Sequence, residues 1–433
     1  MTGMAGETRP RGGWYHGWNI VAVSILSTAT CNALTYNCYS LFLRDWSAQL
    51  HTSISHLQLA LPTMLITSSI LSPTAGLFAD KYPARGLFAC GLSFLAILYL
   101  AMSAITAPWQ ILVLYGLVAP VALTLAASIT SNALISRWFV RHRGLALGLS
   151  AFGLGLAGVL LPPIIAALLP TVGWRMIWRG AGFLTGFIVM PLVVWVIRDR
   201  PTERHGLHFL SADGKASPGH HAHAAGAGQL SWRDVVSRKT FWLLVGIYLP
   251  MMALYGGCGQ NVGPYVANHG LSREYAGTLL SVMSLTHVGA TLLLGMLSDR
   301  FGNRLPLAGL ALVNAAGAAL LAFGAGLPVM ILGYAFVGSG GAVFTLLAAA
   351  LAVEFGAEGI GRAFGVAMLF LPIGAFAPFA IARIQEITGS YAFALMGIAA
   401  LVLVTAVLSL LLRERRRGGD AFDATISVVR PSG

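Results

Sequence analysis

Charged residues are scarce in this chain of 433 residues. Asp, Glu, Lys and Arg make up 10% of the sequence, 57% of the residues are apolar, and the mean hydropathy is +0.76. Soluble globular domains carry about 25% charged residues. The composition therefore excludes an ordinary soluble domain and indicates a membrane protein.

Long polar stretches are also few. A membrane-spanning helix needs roughly 20 consecutive apolar residues. Twelve such runs cover approximately residues 17–43, 56–79, 87–106, 109–135, 144–169, 174–197, 240–267, 274–298, 305–325, 327–352, 363–382 and 391–412. Because the runs are long and unbroken rather than short and alternating, helices are favoured over membrane strands. The expected fold class is an all-α membrane protein with twelve transmembrane helices.

Acidic residues are outnumbered by basic ones, 15 to 27. With twelve helices, 22 of the 27 basic residues fall on the side that holds both chain ends, and the opposite side holds Arg44, Arg175, Arg179, Arg273 and Arg383. Basic residues beside membrane helices mark the cytoplasmic side. We therefore expect a multi-pass protein of the inner (plasma) membrane with both termini in the cytoplasm. This asymmetry explains the net charge of +12 without a nucleic-acid partner.

Cysteine is rare as well, since the chain has four, Cys31, Cys38, Cys90 and Cys258, all inside predicted helices. Cys31 and Cys38 are separated by about 10 Å along one helix, which is too far for a disulfide. We interpret the cysteines as small apolar side chains.

One polar segment, residues 198–239, lies between the sixth and seventh apolar runs and is rich in Gly, Ala, Ser and His. We interpret it as a cytoplasmic linker between an N-terminal six-helix bundle (1–197) and a C-terminal bundle with a cytoplasmic tail (240–433). Its histidines lack the cysteine or carboxylate partners of a known metal site, so no metal is expected. Residues 231–236 are predicted to form a short amphipathic helix at the inner surface.

A ten-residue pattern occurs twice, as Gly76-x-x-x-Asp80-x-x-x-x-Arg85 and as Gly295-x-x-x-Asp299-x-x-x-x-Arg304. The two copies are 219 residues apart, and the same offset separates Arg143 from Arg362, each of which opens an apolar run. A fixed offset of this kind indicates a duplication. Two six-helix halves related by a parallel repeat are typical of transporters.

The doubled pattern resembles the signature loop of the major facilitator superfamily. Residues 137–148 (RWFVRHRGLALG) and 14–18 (WYHGW) are similar to segments of its monocarboxylate and oxalate/formate porter branch. The resemblance implies two six-helix bundles related by pseudo-two-fold symmetry, with a substrate site between them. It also implies alternating access.

The signature residues are expected to act in gating. We predict that Asp80 faces the start of the eleventh helix near Arg362, and that Asp299 faces the start of the fifth helix near Arg143, where backbone N–H groups favour a carboxylate. Such contacts would latch the cytoplasmic side in the outward-open state. The alternative is a topological anchor without a gating role. The predicted gating set is Gly76, Asp80, Arg85, Arg143, Asp299, Arg304 and Arg362.

Polar and aromatic residues on the first and seventh helices indicate a central cavity. Asn32, Tyr36 and Tyr39 follow helical spacing on one stripe, and Tyr248 and Tyr255 do so on the seventh helix. The alternative for each tyrosine is ordinary core packing with a satisfied hydroxyl. The predicted substrate-binding set is Asn32, Tyr36, Tyr39, Ser128, Tyr248, Tyr255, Asn261, Ser284, His287, Tyr334 and Phe370.

His287 is the ionisable residue predicted to lie deepest in the membrane, with Ser284 and Thr291 on the same helix face. An intramembrane histidine is a candidate functional residue, because its ordinary pKa lies near physiological pH. We expect it to take up a proton with the substrate or to donate a hydrogen bond. A neutral histidine bonded to a backbone carbonyl is the structural alternative.

The porter branch implies a basic residue in the eighth or eleventh helix that binds a carboxylate. Here the corresponding position is Thr291, and Arg383 lies near the outer end of the eleventh helix. The expected carboxylate clamp is missing. Either His287 with tyrosine hydroxyls binds the anion, or the substrate is less charged than the resemblance implies.

The sequence thus predicts a secondary transporter of a small organic acid, a monocarboxylate-like anion, with a proton or counter-anion as coupling partner. An exporter of neutral or amphipathic molecules is the alternative, and a sensor on the same scaffold stays possible. No catalytic grouping indicates an enzyme, and no Walker loop indicates nucleotide binding. No cofactor is expected. The predicted partners are the lipid bilayer and a small-molecule substrate, and the carrier is expected to be a monomer.

Overall fold

The computed structural model describes residues 15–139, 143–199, 231–324 and 326–412. Twelve helices are long and apolar enough to cross a membrane. We label them α1 (Gly17–Asn37), α2 (Ile54–Ser72), α3 (Ala84–Ser103), α4 (Pro108–Trp138), α5 (Leu145–Val172), α6 (Trp174–Val196), α7 (Lys239–Asn268), α8 (Arg273–Phe301), α9 (Arg304–Phe323), α10 (Leu327–Gly356), α11 (Gly359–Thr388) and α12 (Ala392–Leu410). The described residues contain no strand. The predicted all-α fold with twelve spans is confirmed.

The helices form two six-helix bundles, α1–α6 and α7–α12, as the sequence repeat predicts. The end of the molecule where α1 begins and α12 ends is called the termini face below. The other end, where Leu50–Ser53 and His269–Ser272 connect helices, is called the far face. Large apolar side chains remain exposed around the outside, among them Phe187 (74%) and Phe323 (73%), as expected for a surface that contacts lipid.

Turns between helices rely on glycine where the backbone needs a positive φ. Gly173 separates α5 from α6 with φ 77°, and Gly389 ends α11 in the left-handed conformation with φ 75°. A residue with a Cβ atom is strained in that region, whereas glycine is not. These two turns, repeated in the two halves, reverse the chain tightly at the far face.

Several spans contain local changes of helical geometry. A π-helical segment, Ala33–Asn37, ends α1 before the chain continues as a helix over Tyr39–Gln49. A 3-10 turn, Gly340–Ala342, interrupts α10. Because a π turn holds more residues than an α turn, it shifts which side chains face the centre of the protein.

The two motifs that resemble the porter branch pack against each other at the termini face. The Tyr15 hydroxyl donates to the Trp138 carbonyl, and the Tyr15 ring meets Phe139 edge-on at 5.4 Å. His16 Nε2 lies 3.0 Å from the Val196 carbonyl oxygen. Burial raises the pKa of Tyr15 to about 12. The contacts join the start of α1 to the ends of α4 and α6.

The predicted short helix after the linker is present as Trp232–Ser237, with Val235 buried and Trp232 exposed. Arg238, which follows it, forms an ion pair with Glu354 at 3.1 Å. Residues 200–230, the larger part of the predicted linker, lie outside the described residues, so the division into bundles at 197 and 240 stays a prediction. All four cysteines are free, and three of them, Cys31, Cys38 and Cys258, are buried.

Candidate functional site

A cavity of about 290 Å³ lies between the two bundles. The first bundle contributes Asn32, Tyr36, Asn37, Leu61, Met64, Leu65, Leu123 and Gly155. The second contributes Met252, Tyr255, Gly256, Gln260, Ser284, His287, Phe344, Leu371, Gly374, Ala375 and Pro378. None of these described lining residues is Asp, Glu, Lys or Arg. The wall is therefore mainly apolar, with amide, hydroxyl and imidazole groups.

The repeat offset of 219 residues relates the two walls of the cavity. Tyr36 corresponds to Tyr255, and Gly155 corresponds to Gly374. Leu65 corresponds to Ser284 at the same offset. All six residues line the cavity. The duplicated fold thus builds the chamber from equivalent backbone positions of both halves.

His287 and Tyr255 form a hydrogen-bonded pair on the cavity wall. The Tyr255 hydroxyl lies 3.1 Å from His287 Nδ1, and the rings meet edge-on at 5.4 Å. A Cβ atom at Gly341 would lie 2.7 Å from the His287 ring, so this ring packs directly on the backbone of α10. Thr291 donates to the His287 carbonyl at 2.8 Å. The imidazole thus contacts the Tyr255 hydroxyl on one element and the Gly341 backbone on another.

Three amide side chains join the bundles on the far-face side of the cavity. Gln58 Nε2 donates to the main-chain carbonyl of Gln260 at 2.7 Å and approaches Asn261 Oδ1 at 3.4 Å. Gln260 Nε2 donates to the Tyr36 carbonyl at 3.1 Å. Asn261 Nδ2 donates to the Pro378 carbonyl at 3.1 Å. Gln58, Gln260 and Asn261, called the amide cluster below, connect α1, α2, α7 and α11.

Two charged contacts join the bundles farther toward the far face. Glu386 accepts hydrogen bonds from the Ser55 backbone N–H at 2.9 Å and from the Ser55 hydroxyl at 2.7 Å. Arg273 binds Asp45 through both guanidinium nitrogens, with one N–O distance of 2.7 Å. Two guanidinium nitrogens bound to one carboxylate fix the relative orientation of the two side chains.

A close backbone approach completes the closure of the far face. A Cβ atom at Gly263 would lie 2.2 Å from the Ser40 carbonyl oxygen. The two bundles therefore contact each other through the main chain here. Together with the amide cluster and the charged contacts, this approach closes the cavity toward the far face.

The structure brings five of the predicted substrate-binding residues together on the cavity wall: Asn32, Tyr36, Tyr255, Ser284 and His287. Asn32 donates to the Thr28 carbonyl at 2.9 Å. A Cβ atom at Gly256 would lie 3.9 Å from the Tyr36 hydroxyl. Their role in substrate binding stays a prediction.

Three predicted tyrosines lie in the packed bundles rather than on the cavity wall. Tyr39 is fully buried and donates to the Leu57 carbonyl at 2.5 Å. Tyr248 donates to the Ala367 carbonyl at 2.8 Å. Tyr334 packs edge-on against Tyr265 with ring centroids 5.9 Å apart. Core packing, the alternative considered for each tyrosine, describes these three residues.

The other predicted site residues also lie away from the wall or outside the described side chains. Phe370 packs against Trp242 with ring centroids 5.4 Å apart, near the termini face. Asn261 belongs to the amide cluster. The side chain of Ser128 lies outside those that the structure describes. Asn37 and Gln260 line the cavity but were not among the predicted site residues.

The predicted gating residues lie at the termini face. The side chains of Arg85, Asp299, Arg304 and Arg362 are exposed. The side chains of Gly76, Asp80 and Arg143 lie outside those that the structure describes, so the predicted latch contacts stay a prediction. The described residues contain no group of three His, Cys, Asp or Glu that could hold a metal.

A larger groove of about 550 Å³ lies within the first bundle, between α2, α3 and α4. Its lining includes Phe78, Tyr82 and Leu125 and is almost wholly apolar. It lies in one half only, whereas the smaller cavity is shared by both halves. The shared cavity is therefore the candidate site.

Comparisons with known proteins agree with this architecture. A family model described as Major Facilitator Superfamily matches residues 25–272 and 259–428. Monocarboxylate transporter 11 of Mus musculus is 27% identical over 385 residues, which cover 84% of this chain and 79% of that protein. An uncharacterised MFS-type transporter of Bacillus subtilis, YcxA, is 23% identical over 195 residues, which span 45% of this chain and 47% of that protein.

The fold is also similar to that of a solved structure. A bacterial homologue of the human lysosomal transporter Spinster, in an inward-facing and unoccupied conformation, has a TM-score of 0.72 and 16% sequence identity. The match covers 92% of this chain and 97% of that chain. The similarity extends over both bundles.

Proposed function

This chain belongs to the Major Facilitator Superfamily, and on that premise we propose that it carries a small organic acid with an apolar body across the membrane by alternating access. The chain is a multi-pass membrane protein of a transporter family. The monocarboxylate transporter among its relatives supports the acid as substrate.

The observation that carries the proposal is the His287–Tyr255 pair in a cavity wall without a formal charge. An isolated carboxylate in such a chamber is costly, because no cation compensates for its lost hydration. A histidine that takes up a proton supplies the missing charge at the wall. The Tyr255 hydroxyl adds a second hydrogen-bond donor within 3.1 Å of the ring. We infer that acid and proton are carried together.

The apolar residues of the chamber define the rest of the substrate. Met64, Leu65, Phe344 and Leu371 line the cavity. They favour a hydrocarbon body because burying apolar surface contributes about 25 cal/mol per Å². A volume of about 290 Å³ lies near the lower limit of about 300 Å³ for small-molecule sites. A small acid with a hydrocarbon body fits this description.

We propose that the termini face is cytoplasmic, because the order of the predicted spans assigns 22 of the 27 lysines and arginines of the sequence to the side that holds both chain ends. The far face then faces the outside of the inner (plasma) membrane. The far-face contacts would make the described conformation the inward-open one. The latch between Asp80 or Asp299 and the opposite bundle belongs to the outward-open conformation.

An exporter of neutral or amphipathic molecules is the second candidate. The observation that favours it is the absence of Asp, Glu, Lys and Arg from the described cavity lining. A neutral molecule with an apolar body would need no compensating charge. The two candidates differ in whether binding depends on the protonation of His287.

Thermal stability of the purified protein separates the candidates. A ligand that binds the folded state raises the melting temperature. We expect 4-methylpentanoate to raise it more at a pH below the ordinary histidine pKa than above it, and 4-methylpentanamide to have a smaller effect at both. Equal or greater stabilisation by the amide at both pH values would contradict the acid and favour the neutral substrate.

A further inference from the structure

We propose that the groove between α2, α3 and α4 in the first bundle binds one anionic phospholipid of the bilayer. One acyl chain occupies the groove, and the headgroup phosphate lies near Lys81 and Arg85 at the termini face. The groove and the transport chamber have no described lining residue in common. The inference therefore goes beyond the proposed transport function.

The groove extends along most of the depth of one bilayer leaflet. Its volume is about 550 Å³, and its described lining runs along α2 from Leu71 to Phe78. Seven residues of an α-helix extend about 10 Å. One leaflet of the hydrocarbon core is about 15 Å thick. An acyl chain can therefore lie along α2 over much of this depth.

The groove forms where α3 diverges from its neighbours. A Cβ atom at Gly91 would lie 2.7 Å from the Ala126 backbone nitrogen, so α3 and α4 pack closely there. One turn nearer the termini face, no described atom of another helix lies within 4 Å of a Cβ atom placed at Gly86. Phe78 and Tyr82, which line the groove, are 45% and 46% exposed. The groove is therefore accessible from outside the bundle near the start of α3.

The described lining suits a hydrocarbon chain. Leu71, Val121 and Leu125 contribute aliphatic side chains, and the hydroxyl groups of the described lining are those of Tyr82 and Thr124. An empty apolar groove forfeits van der Waals contacts on the side that has no atoms. The surrounding bilayer supplies chains that fill such a space. A lipid is therefore the occupant that this lining favours.

Two basic side chains near the opening favour an anionic headgroup. Lys81 and Arg85 are exposed, and Lys81 Nζ lies 5.7 Å from the centre of the Tyr82 ring. Among the residues that the structure describes, neither basic side chain forms an ion pair. The carboxylate of Asp199 accepts from the Arg85 backbone N–H at 3.4 Å. Lysine and arginine at a membrane surface attract anionic lipids, and tyrosine is typical of the headgroup level.

The groove shares two helices with the wall of the transport chamber. Leu123 of α4 lines the chamber, whereas the next residue, Thr124, lines the groove. Leu65 of α2 lines the chamber, and Leu71 lines the groove. A chain in the groove therefore packs against helices that form the first half of the chamber wall. Because the lipid binds the folded protein, it should raise the melting temperature.

The second half of the chain suggests a variant that fills the groove. At the repeat offset of 219, Gly86 corresponds to Leu305. Gly86→Leu adds a side chain where the described structure leaves space, and leucine favours a helix more than glycine does. Gly309→Leu is the matched control, because Gly309 is exposed on α9 and its Cβ position also has no described neighbour within 4 Å.

Native mass spectrometry of the full-length protein in detergent tests the inference, because it resolves how many lipids are bound. The probes are palmitoyl-oleoyl phosphatidylglycerol, which is anionic, and palmitoyl-oleoyl phosphatidylcholine, which is zwitterionic with the same chains. We expect the first phosphatidylglycerol to bind more tightly than further copies and about fivefold more tightly than phosphatidylcholine. Gly86→Leu should weaken binding of both lipids about tenfold, as for overpacking of a fitted site. Gly309→Leu should not.

The headgroup contact has its own pair of variants. Lys81→Gln should weaken phosphatidylglycerol binding about fivefold and leave phosphatidylcholine binding unchanged. Lys239→Gln, which removes another exposed lysine of the termini face, should preserve the preference. Glycerol 1-phosphate, which has the phosphate but no acyl chain, should not compete with the lipid.

Equal affinity for the two lipids in the wild-type protein would overturn the inference. Unchanged lipid binding in Gly86→Leu would also overturn it, because the lipid would then bind outside the groove. Competition by glycerol 1-phosphate would indicate a site for free phosphate instead. The melting temperatures of Gly86→Leu and Gly309→Leu without added lipid show whether either variant is misfolded. If Gly86→Leu is misfolded, a preference for phosphatidylglycerol that survives Lys81→Gln contradicts the site.

Discussion

The two halves of the chamber have equivalent backbones and different chemistry. At the repeat offset of 219, Leu65 of α2 corresponds to Ser284 of α8, and Ser68 corresponds to His287. Tyr36 and Tyr255 are identical residues at equivalent positions, yet Tyr255 pairs with His287 while the Tyr36 hydroxyl lies toward Gly256. Duplication thus supplies the scaffold twice. Among the described residues of the cavity wall, an imidazole group occurs only in the second half.

The asymmetry indicates that the two halves of the wall provide different interactions. The α2 side of the wall, with Leu61, Met64 and Leu65, offers apolar surface. The α8 side, with Ser284 and His287, offers a hydroxyl and an imidazole group. A substrate with an apolar body and one polar end would contact both sides. The predictions below test whether the polar half alone carries the coupling.

The largest expected effect is that of His287→Gln, with Ser68→Ala at the equivalent position of the first half as the matched control. Glutamine keeps hydrogen-bonding capacity but cannot take up a proton at ordinary pH. We expect uptake driven by a pH gradient in proteoliposomes to fall to background, while exchange of substrate at equal pH persists. Ser68→Ala should retain most of the pH-driven uptake. Intact pH-driven uptake in His287→Gln would show that the proton site lies elsewhere.

The second prediction concerns the close approach of Gly263 to Ser40, where the two bundles meet at the far face in the described conformation. Gly263→Ala would place a Cβ atom 2.2 Å from the Ser40 carbonyl oxygen, so the far face cannot close as described. We expect the clash to make closure of the far face less favourable by roughly 1.4 kcal/mol, so transport should fall about tenfold. Gly246→Ala on the same helix, where the nearest atom lies 3.9 Å away, should have little effect.

The closure itself can be measured with spin labels at Gln49→Cys and Asn268→Cys, two exposed far-face positions in opposite halves. The exposed Cys90 is replaced beforehand. Gly263→Ala should lengthen the distance between the labels relative to Gly246→Ala. An unchanged distance distribution would show that the close approach at Ser40 does not control closure.

The equivalent tyrosines give a third and smaller contrast. Tyr255→Phe removes the hydroxyl that pairs with His287 at 3.1 Å. Loss of one hydrogen bond of about 1 kcal/mol predicts roughly fivefold weaker acid binding. Tyr36→Phe should weaken it about twofold or less. Equal effects in the two variants, measured by calorimetry, would contradict the chemical asymmetry of the halves.

The smallest effect is expected for the ion pair between the halves. Asp45 and Arg273 are 21% and 34% exposed, and partly exposed pairs contribute about 0–1 kcal/mol. Asp45→Asn should therefore shift the spin-label distances only slightly, and transport by about twofold or less. A double-mutant cycle with Arg273→Gln isolates the pair energy. A coupling well above 1 kcal/mol would assign this pair a larger part in closure than the amide cluster.

Much of the fold was predictable from the sequence because it depends on simple quantities. Apolar runs of sufficient length determine the twelve spans, and the repeated Gly-Asp-Arg pattern relates the two halves. His287, Ser284 and Tyr255 were predictable on the cavity wall from helical spacing. A polar residue within a long apolar helix can be recognised from the sequence alone.

The phase of α1 was not predictable, because the π-helical segment Ala33–Asn37 changes the residue count per turn. Regular spacing from Asn32 assigns Tyr39 to the cavity, whereas the structure brings Asn37 to it and buries Tyr39 against Trp46. Buried tyrosines of the core and of a cavity have the same spacing. The two kinds of tyrosine differ in the hydrogen-bond partner of the hydroxyl group. In Tyr39 and Tyr248, which lie in the core, the hydroxyl donates to a main-chain carbonyl.

The pairing of Gln58 with Gln260 in the amide cluster was missed for a related reason. Gln58 and Gln260 lie in different halves, 202 residues apart, and meet only once the two bundles are packed. The repeat offset could have indicated part of the wall, because Gly155 and Gly374 are equivalent positions in the two halves. Contacts between non-equivalent residues follow from the conformational state, which the sequence pattern does not encode.

Accumulation of radiolabelled 4-methylpentanoate in proteoliposomes tests the central claim most directly. With an inward-directed proton gradient, the wild-type protein should concentrate the acid inside above its external level, and a protonophore that abolishes the gradient should release it to equilibrium. Failure to accumulate the acid, or accumulation that the protonophore leaves unchanged, would contradict a chamber that carries acid and proton together.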